Sequence, residues 1–227
     1  MKWIPDPTGR FPVRPYYELD ELETECERII TGFLERRYGQ IIIPVPTDAL
    51  RVLIESEPAG LDVHADLSQE GEEIHGLTEF VPGRKPRVSI ARELTTQSWR
   101  AHRGRTTLTH EYAHLHWHGP LFWHGPLFER YRPAGERHKC ARGKLLPGSG
   151  EADWMEWQAG YISGALLMLR SRIQLLVEAF RREHRAATVI NTSSVEGRLL
   201  AGRVSEIFDV SREAASLRLL QLGHLAA

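Results

Sequence analysis

Two histidines and a glutamate in the segment His110-Glu111-Tyr-Ala-His114 have the residue types and spacing of a metal-dependent hydrolytic site. Because an α-helix has 3.6 residues per turn, side chains four positions apart share a face, and two imidazoles so placed can bind one Zn²⁺ ion. Glu111 lies beside them, where its carboxylate can accept a proton from a water that the metal acidifies. The segment therefore predicts His110 and His114 as metal ligands and Glu111 as the general base.

A catalytic zinc site uses three protein ligands, and Glu156 is the candidate that we favour for the third. A third histidine at the spacing HExxHxxGxxH is excluded, because Pro120 occupies that position. Ala159, Gly160 and Ser163 follow Glu156 by three, four and seven positions and so share its helix face. Small side chains on that face would allow a second helix to approach closely enough for the carboxylate to reach the metal.

Other possible ligands have weaker positions in the sequence. His118 is one turn beyond His114 but at the predicted helix end, and His116 points elsewhere on the helical wheel. His124, His138 and Cys140 fall in a predicted loop. The sequence leaves open that the thiolate of Cys140 is a fourth ligand that silences the site.

Two motifs together resemble those of the ImmA/IrrE family of bacterial metallopeptidases. They are the HEYAH segment from His110 to His114 and the segment Glu-Trp-Gln-Ala-Gly-Tyr-Ile-Ser-Gly-Ala-Leu-Leu-Met that begins at Glu156. Ile43-Pro-Val-Pro and Gly76-Leu follow the family order upstream, so the resemblance extends over about residues 18–225. The family often has proline after Leu-Leu-Met, where this chain has Leu169, and a helix that continues through this point is therefore expected.

The resemblance implies a zinc-dependent endopeptidase of the gluzincin-like type. It implies that His110, His114 and Glu156 bind Zn²⁺ and that Glu111 is the general base. It also implies a substrate class, a helix-turn-helix transcriptional repressor whose cleavage switches on phage, mobile-element or stress genes. A His₂Glu site can also accept other divalent ions such as Mn²⁺. Tyr161, His116 and several arginines are candidates for stabilising the oxyanion.

The periodicity predicts an α+β fold, with a small antiparallel or mixed sheet and a helical layer that carries the HExxH site. Apolar residues at three- and four-residue steps predict a helix over 18–38, and Thr47 could cap a short helix to Ser56. Strands are predicted at 61–65, 77–81 and 87–91, the last two as a hairpin. Residues 151–186 form one long helix or two abutting helices, and a substrate strand could add to the sheet edge beside the cleft.

Three regions follow from this pattern: an N-terminal extension (1–17), a zincin-like domain (18–186) and a C-terminal segment (187–227). The domain contains a long loop over 117–150 that is rich in glycine and proline, and in it Trp-His-Gly-Pro-Leu-Phe occurs twice in tandem. The C-terminal segment resembles a helix-turn-helix, with Ser211 as N-cap and an apolar face of Ala214, Leu217, Leu220 and Leu222.

The composition predicts a soluble, cytoplasmic chain with no membrane span. It has 227 residues, two cysteines and a net charge of −1, which argues against binding nucleic acid by bulk charge. The alternative function is a DNA-binding or repressor-binding regulator with a non-catalytic zinc site. Its donors for DNA would be Arg212, Ser216, Arg218 and Gln221, but packing of this segment on the peptidase domain is favoured.

Overall fold

The structure is a computed structural model that describes residues 1–9, 11–71, 73–81, 84–123, 136–141 and 154–226. Residue 123 and residues 136–141 are described by their backbone. The structure has the expected mixed α+β architecture, with many helices and a few small sheets in its described part. The helices in the described part are α1 (Leu19–Tyr38), α2 (Thr47–Glu55), α3 (Arg92–Thr96), α4 (Ala101–Ala113), α5 (Pro120–Trp123), α6 (Trp154–Leu167), α7 (Arg170–His184), α8 (Val195–Phe208) and α9 (Arg212–Gln221).

The main sheet is mixed and has four described strands in the order β3-β5-β4-β6. Its strands are β3 (Gly60–Ala65), β4 (Ile74–Phe80), β5 (Arg87–Ala91) and β6 (Glu136–Ala141). β5 pairs in parallel with β3 and antiparallel with β4, and β4 pairs antiparallel with β6. The predicted hairpin is therefore confirmed as the β4–β5 pair. Two strand pairs form separate small sheets: β1 (Lys2–Pro5) with β2 (Val13–Tyr16), and β7 (Ile190–Asn191) with β8 (Leu225–Ala226).

Helix α1 shows how local sequence sets the boundaries of these elements. Glu18 and Glu21 form a reciprocal capping box that satisfies backbone N–H groups at its start. It ends at Gly39, whose φ of 72° is left-handed and suits glycine. The expectation for α2 was wrong in detail: Pro46 is the N-cap and Thr47 is the first helical residue.

The long loop predicted over 117–150 is wrong in part, because it contains regular structure. A π-helical turn (His114–His118) continues α4, and α5 and β6 follow. Proline is tolerated in the first turn of a helix, where its missing N–H is not needed, so Pro120 begins α5 rather than ending structure. The second copy of the duplicated hexapeptide, apart from the backbone of Trp123, lies outside the described residues.

The helix expected to continue through Leu169 ends instead at Leu167. Leu169 has a ψ of 129°, outside the helical range, and α7 begins at Arg170. The carbonyl oxygen of Met168 accepts hydrogen bonds from Nε and Nη2 of Arg218, both 3.2 Å away. These tertiary bonds replace the helical partner that Met168 would otherwise need, so no proline is required for the break.

Helices α8 and α9 pack into the same apolar core as α1 and the sheet. Leu200, Val204 and Leu219 are among the residues that they bury in this core. Ser211 caps α9 as predicted, accepting from the backbone N–H of Ala214 at 3.1 Å. The predicted apolar face is wrong in part: Ala214 and Leu222 pack against the core, but the buried residues of α9 are Ala215, Arg218 and Leu219, and Leu220 is 39% exposed.

The reason is a buried ion pair that turns a charged residue of α9 inwards. Both Nη atoms of Arg218 lie 2.6 Å from the carboxylate oxygens of Glu23 on α1, and the hydroxyl of Tyr161 donates to the same carboxylate at 2.5 Å. The side chains of Arg218 and Glu23 are only 1% and 3% exposed.

Among the described helices, none is both long and apolar enough to cross a membrane.

Candidate metal centre

Helices α4 and α6 bring His110, His114 and Glu156 together. Thr109 and Ser163 mark their close approach, since the two hydroxyl oxygens are 2.7 Å apart and Ser163 donates to the carbonyl of Thr106 at 3.0 Å. This contact lies on the small-residue face expected for α6. The two histidines are buried, with 2% and 0% of their side chains exposed, so they do not lie on a solvent face.

The three side chains have the spacing of a group that could bind a metal ion. Nε2 of His110 lies 3.2 Å from Oε2 of Glu156, and Nε2 of His114 lies 3.2 Å from Oε1. The two Nε2 atoms are 3.1 Å apart. Ligands at the usual zinc distances in a tetrahedral site are separated by about 3.3 Å, which the Nε2–Nε2 distance matches, and one ligand atom from each of the three residues lies within 4.8 Å of the others.

Glu111 is fully buried between α4 and β4, and one of its oxygens is held in place. Oε2 accepts a hydrogen bond of 2.5 Å from the hydroxyl of Thr78. Oε1 has no hydrogen-bond partner among the described residues. An anchored carboxylate with one remaining acceptor beside the His₂Glu group is the arrangement that a general base requires.

Gly76 provides the space that the Glu111 carboxylate occupies. A Cβ atom at residue 76 would collide with Oε1 of Glu111 and would lie 2.6 Å from Cγ2 of Thr107. Real Cβ atoms do not approach other atoms so closely, and the backbone of β4 cannot readily retreat because it pairs on both sides. The glycine is therefore required by packing at the site rather than by a turn.

The buried position changes the acidity of Glu111. Burial raises the pKa of its carboxyl well above the usual range, and the nearby charge of Glu156 adds to this increase. The hydrogen bond from Thr78 opposes the increase, because it stabilises the ionised form. A carboxylate whose pKa is raised is a stronger proton acceptor than one on the surface.

His118 supports the cluster from outside rather than joining it. Its Nδ1 lies 3.0 Å from Nδ1 of His114, and its Nε2 lies 3.1 Å from Oε1 of Gln158. When Nε2 of His118 donates to Gln158, its Nδ1 is left as acceptor for the Nδ1–H of His114. That tautomer of His114 leaves Nε2 unprotonated, which is the form that binds a metal.

The π-helical turn explains how His118 reaches this position. The N–H of Gly119 donates to the carbonyl of His114 at 2.9 Å, five residues back, which is the hydrogen bond of a π-helix. Single π-turns inside helices are frequent at functional sites. His118 is fully buried beside Trp154, with 5.4 Å between the ring centroids, so the helix does not end in solvent at this residue.

The two named candidates for oxyanion stabilisation lie elsewhere. The hydroxyl of Tyr161 donates to Glu23 in the buried ion-pair cluster. Nδ1 of His116 lies 2.6 Å from a carboxylate oxygen of Glu57, on the other side of the helix. Both groups are engaged by carboxylates outside the His₂Glu group.

The cysteine and loop histidines are only partly located. Cys140 lies in β6 at the register position opposite Gly76, and His138 lies opposite Thr78. The side chains of β6 and the whole of His124 lie outside the described residues. The fourth-ligand hypothesis for Cys140 therefore remains a hypothesis.

The strand that contacts Glu111 is not an edge strand of the sheet. β4 carries Gly76 and Thr78 against Glu111, but it is paired on both sides, by β5 and β6. The described edge nearest to the metal centre is that of β6. A substrate strand that extends this sheet beside the site would pair with β6.

Thr78, Gly76 and Gln158 were missed by sequence reasoning, for different reasons. Gly76 was noted only as part of a family-like segment, and no pattern connected Thr78 with a glutamate 33 residues away. Gln158 is two positions after Glu156, and only the helix geometry turns it toward His118. A scan against models of known protein families and a search of curated proteins find no match for this chain, so its resemblance to the ImmA/IrrE family rests on the two motifs.

Proposed function

We propose that this protein is a zinc-dependent endopeptidase. The observation that carries the proposal is the triangle of His110, His114 and Glu156 ligand atoms with the Thr78-anchored carboxylate of Glu111 beside it. A His₂Glu donor set with a neighbouring glutamate is typical of metal-dependent peptide hydrolysis. When bound, a zinc ion supplies Lewis acidity that polarises a carbonyl and lowers the pKa of a water.

The residues of the chain then have distinct roles. Glu111 accepts a proton at Oε1, the oxygen without a partner among the described residues, and returns it to the leaving amine. Thr78 orients this carboxylate, while His118 and Gln158 hold the imidazole of His114. The near-complete burial of the histidines keeps competing water away from their nitrogen atoms.

We propose a helix-turn-helix transcriptional repressor as the substrate, and a regulatory role in derepression. This part of the proposal is supported by the resemblance of the two motifs to the ImmA/IrrE family. The test is incubation of the zinc-loaded chain with repressors encoded beside its gene, followed by mass spectrometry of the fragments.

Glu111→Gln is the decisive variant for catalysis. It should lose cleavage by at least about 100-fold, the lower end of the range for general-base removal, while zinc content stays at one ion per chain. Exposed Glu73→Gln is the matched control and should cleave like the parent. His114→Ala should lose both metal and activity. Equal cleavage by Glu111→Gln and the parent would refute the catalytic role.

The second candidate function is a regulator that binds DNA or a repressor without cleaving it. The buried ion pair of Arg218 with Glu23 counts against DNA reading, because this arginine is not exposed to a phosphate or a base. Fluorescence anisotropy of the full chain with duplex DNA at 50 and 200 mM salt separates the alternatives. DNA binding that falls steeply with salt would favour the DNA-binding regulator. Stable binding of a repressor that yields no fragments would favour a non-catalytic binder.

A further inference from the structure

A second apolar cluster adjoins the metal centre and is distinct from the main core. Its buried side chains are Phe11, Phe80, Leu121, Phe122, Trp154 and Met155. The last two directly precede the proposed ligand Glu156 in α6, and Phe11 comes from the N-terminal hairpin, by which we mean β1, β2 and the residues that join them. The hairpin therefore packs next to a site whose three proposed ligands all lie elsewhere in the chain.

The connection between β1 and β2 is held in shape by Asp6. This residue is buried, and its carboxylate accepts hydrogen bonds from the backbone N–H groups of Thr8 at 3.1 Å and of Phe11 at 3.0 Å. The ring of Phe11 packs edge-on against that of Phe122 in α5, with 5.5 Å between the centroids. Phe122 in turn stacks on Phe80 of β4 at 4.3 Å. The hairpin is thus fastened to both α5 and β4.

Arg14 of β2 joins the hairpin to the first turn of α6. Its Cζ lies 5.2 Å from the centroid of the Trp154 ring. A guanidinium within about 6 Å of an indole is attracted by the negative face of the ring. Nε of Arg14 is buried and has no hydrogen-bond partner among the described residues. The indole therefore takes the place of an acceptor for this part of the guanidinium.

Trp154 connects Arg14 with the partner of a proposed metal ligand. The ring of Trp154 meets that of His118 edge to face, with 5.4 Å between the centroids and an interplanar angle of 82°. Nδ1 of His118 lies 3.0 Å from Nδ1 of His114. All three rings are buried, and buried side chains are closely packed. A shift of Trp154 therefore changes the space in which the ring of His118 can turn.

We infer that Arg14 and Trp154 are positioning residues of the metal centre. The guanidinium holds the indole, the indole holds the ring of His118, and His118 keeps Nε2 of His114 free for a metal. This inference rests on the metal-binding part of the proposed function and does not require turnover. It gives the N-terminal hairpin a role in zinc affinity, although none of the three proposed ligands lies in it.

The first measurement is the zinc affinity of the full chain, by competition with a chromophoric chelator. Arg14→Met removes the charge but keeps an apolar stem. We expect it to weaken zinc binding about 3- to 10-fold, less than the roughly 10- to 100-fold loss for a partner that contacts a ligand directly. Arg14→Lys restores a cation beside the indole and should bind zinc within about twofold of the parent. Arg36→Met, at an exposed arginine of α1, is the matched control. Equal zinc affinities of Arg14→Met and this control would overturn the inference.

A double variant tests the route through His118. In the His118→Phe protein, Arg14→Met should weaken zinc binding by less than about twofold, because the ring that transmits its effect is already gone. Losses of affinity that simply add would show that Arg14 does not act through His118. Trp154→Leu should weaken zinc binding at least as much as Arg14→Met does, whereas Trp154→Phe keeps a ring and should retain most of the affinity.

A positioning role is distinguished from a merely structural one by the geometry of the ligands. Co²⁺ bound in place of zinc has visible absorption bands that depend on its ligand geometry. These bands should change in Arg14→Met and return in Arg14→Lys. Urea unfolding of the metal-free proteins is measured in parallel. A lower free energy of unfolding in Arg14→Met, with unchanged zinc affinity and unchanged Co²⁺ bands, would make Arg14 structural only and would overturn the inference.

Failure of this inference and failure of the proposed function give different results. Cleavage of a repressor by the parent, with unchanged zinc affinity in Arg14→Met, would refute the positioning role and leave the peptidase standing. Weaker zinc binding in Arg14→Met, with no cleavage of any repressor by the zinc-loaded parent, would refute the peptidase and leave the positioning role. A parent that binds no zinc would overturn both.

Discussion

Nδ1 of His118 lies 3.0 Å from Nδ1 of His114, on the side of the ring opposite to Nε2, which lies 3.2 Å from Oε1 of Glu156. Nε2 of His118 in turn lies 3.1 Å from Oε1 of Gln158. The chain of contacts connects a ligand on the extended α4 helix with an amide on α6. It fixes both the orientation and the tautomer of His114, which are the properties that outer partners of metal ligands control.

We predict that His118→Phe weakens zinc binding about 10- to 100-fold, because His114 loses the partner that fixes its tautomer. Phenylalanine keeps an aromatic ring against Trp154, so the packing change is small. Competition with a chromophoric chelator measures the affinity. His64→Gln is the control at an exposed histidine. If His118→Phe and the control bind zinc equally, the positioning role is wrong.

Gly76→Ala should destabilise the protein and disturb the site together. The added Cβ would collide with Oε1 of Glu111, so either the carboxylate or the strand must move. Overpacking of this kind lowers the free energy of unfolding by about 1–3 kcal/mol. Urea unfolding and cleavage rate are the measurements. Gly60→Ala in β3 is the matched control, since its Cβ would meet its nearest neighbour at 4.0 Å. Equal stability and activity of both variants would show that the glycine is not needed.

His75 should make the folded state less stable in mild acid. Burial lowers its pKa below the usual 6.5, and the charges of Arg103 and Arg100 lower it further. Below pH 6.5 the unfolded chain therefore binds a proton that the folded chain resists, so stability is fully present above about 6.5 and falls as the pH drops through the folded pKa.

The measurement for His75 is urea unfolding between pH 5 and 7.5, in the parent and in His75→Asn. Asparagine keeps an acceptor for Nε of Arg103 but does not titrate in this range. The pKa of His224 is also lowered, by burial and by Arg181, so the parent retains part of the dependence from that residue. Identical pH slopes in the two proteins would contradict the assignment to His75.

Arg218→Met should lower the free energy of unfolding by about 3–5 kcal/mol, because it leaves Glu23 as a buried charge without its arginine partner. The double variant with Glu23→Gln should recover part of this loss, since no unpaired charge then remains. The free energy of unfolding from urea titration measures both. Arg212→Met, at an exposed position on the same helix, should change it by less than about 0.5 kcal/mol. A similar small effect for Arg218→Met would show that the ion pair does not anchor α9.

The sequence alone was sufficient to predict the local features of this protein. The periodicity located α1 and the β4–β5 hairpin, and Ser211 indicated the start of α9, because these depend on residues close together in the chain. The four-residue spacing of His110 and His114 and the small face around Glu156 predicted the group that could bind a metal. Those predictions needed only the geometry of single helices and an assumption of close packing.

Only the tertiary structure decided which polar groups meet across the chain. The contact of Thr78 with Glu111, the inward turn of Arg218 to Glu23 and the break at Leu169 join segments that are 33 to 195 residues apart. No periodicity encodes such pairs, because a helix face selects its partner by the whole packing arrangement. The two motifs thus predicted the group that could bind a metal, whereas the fold determined what holds Glu111 and what orients His114.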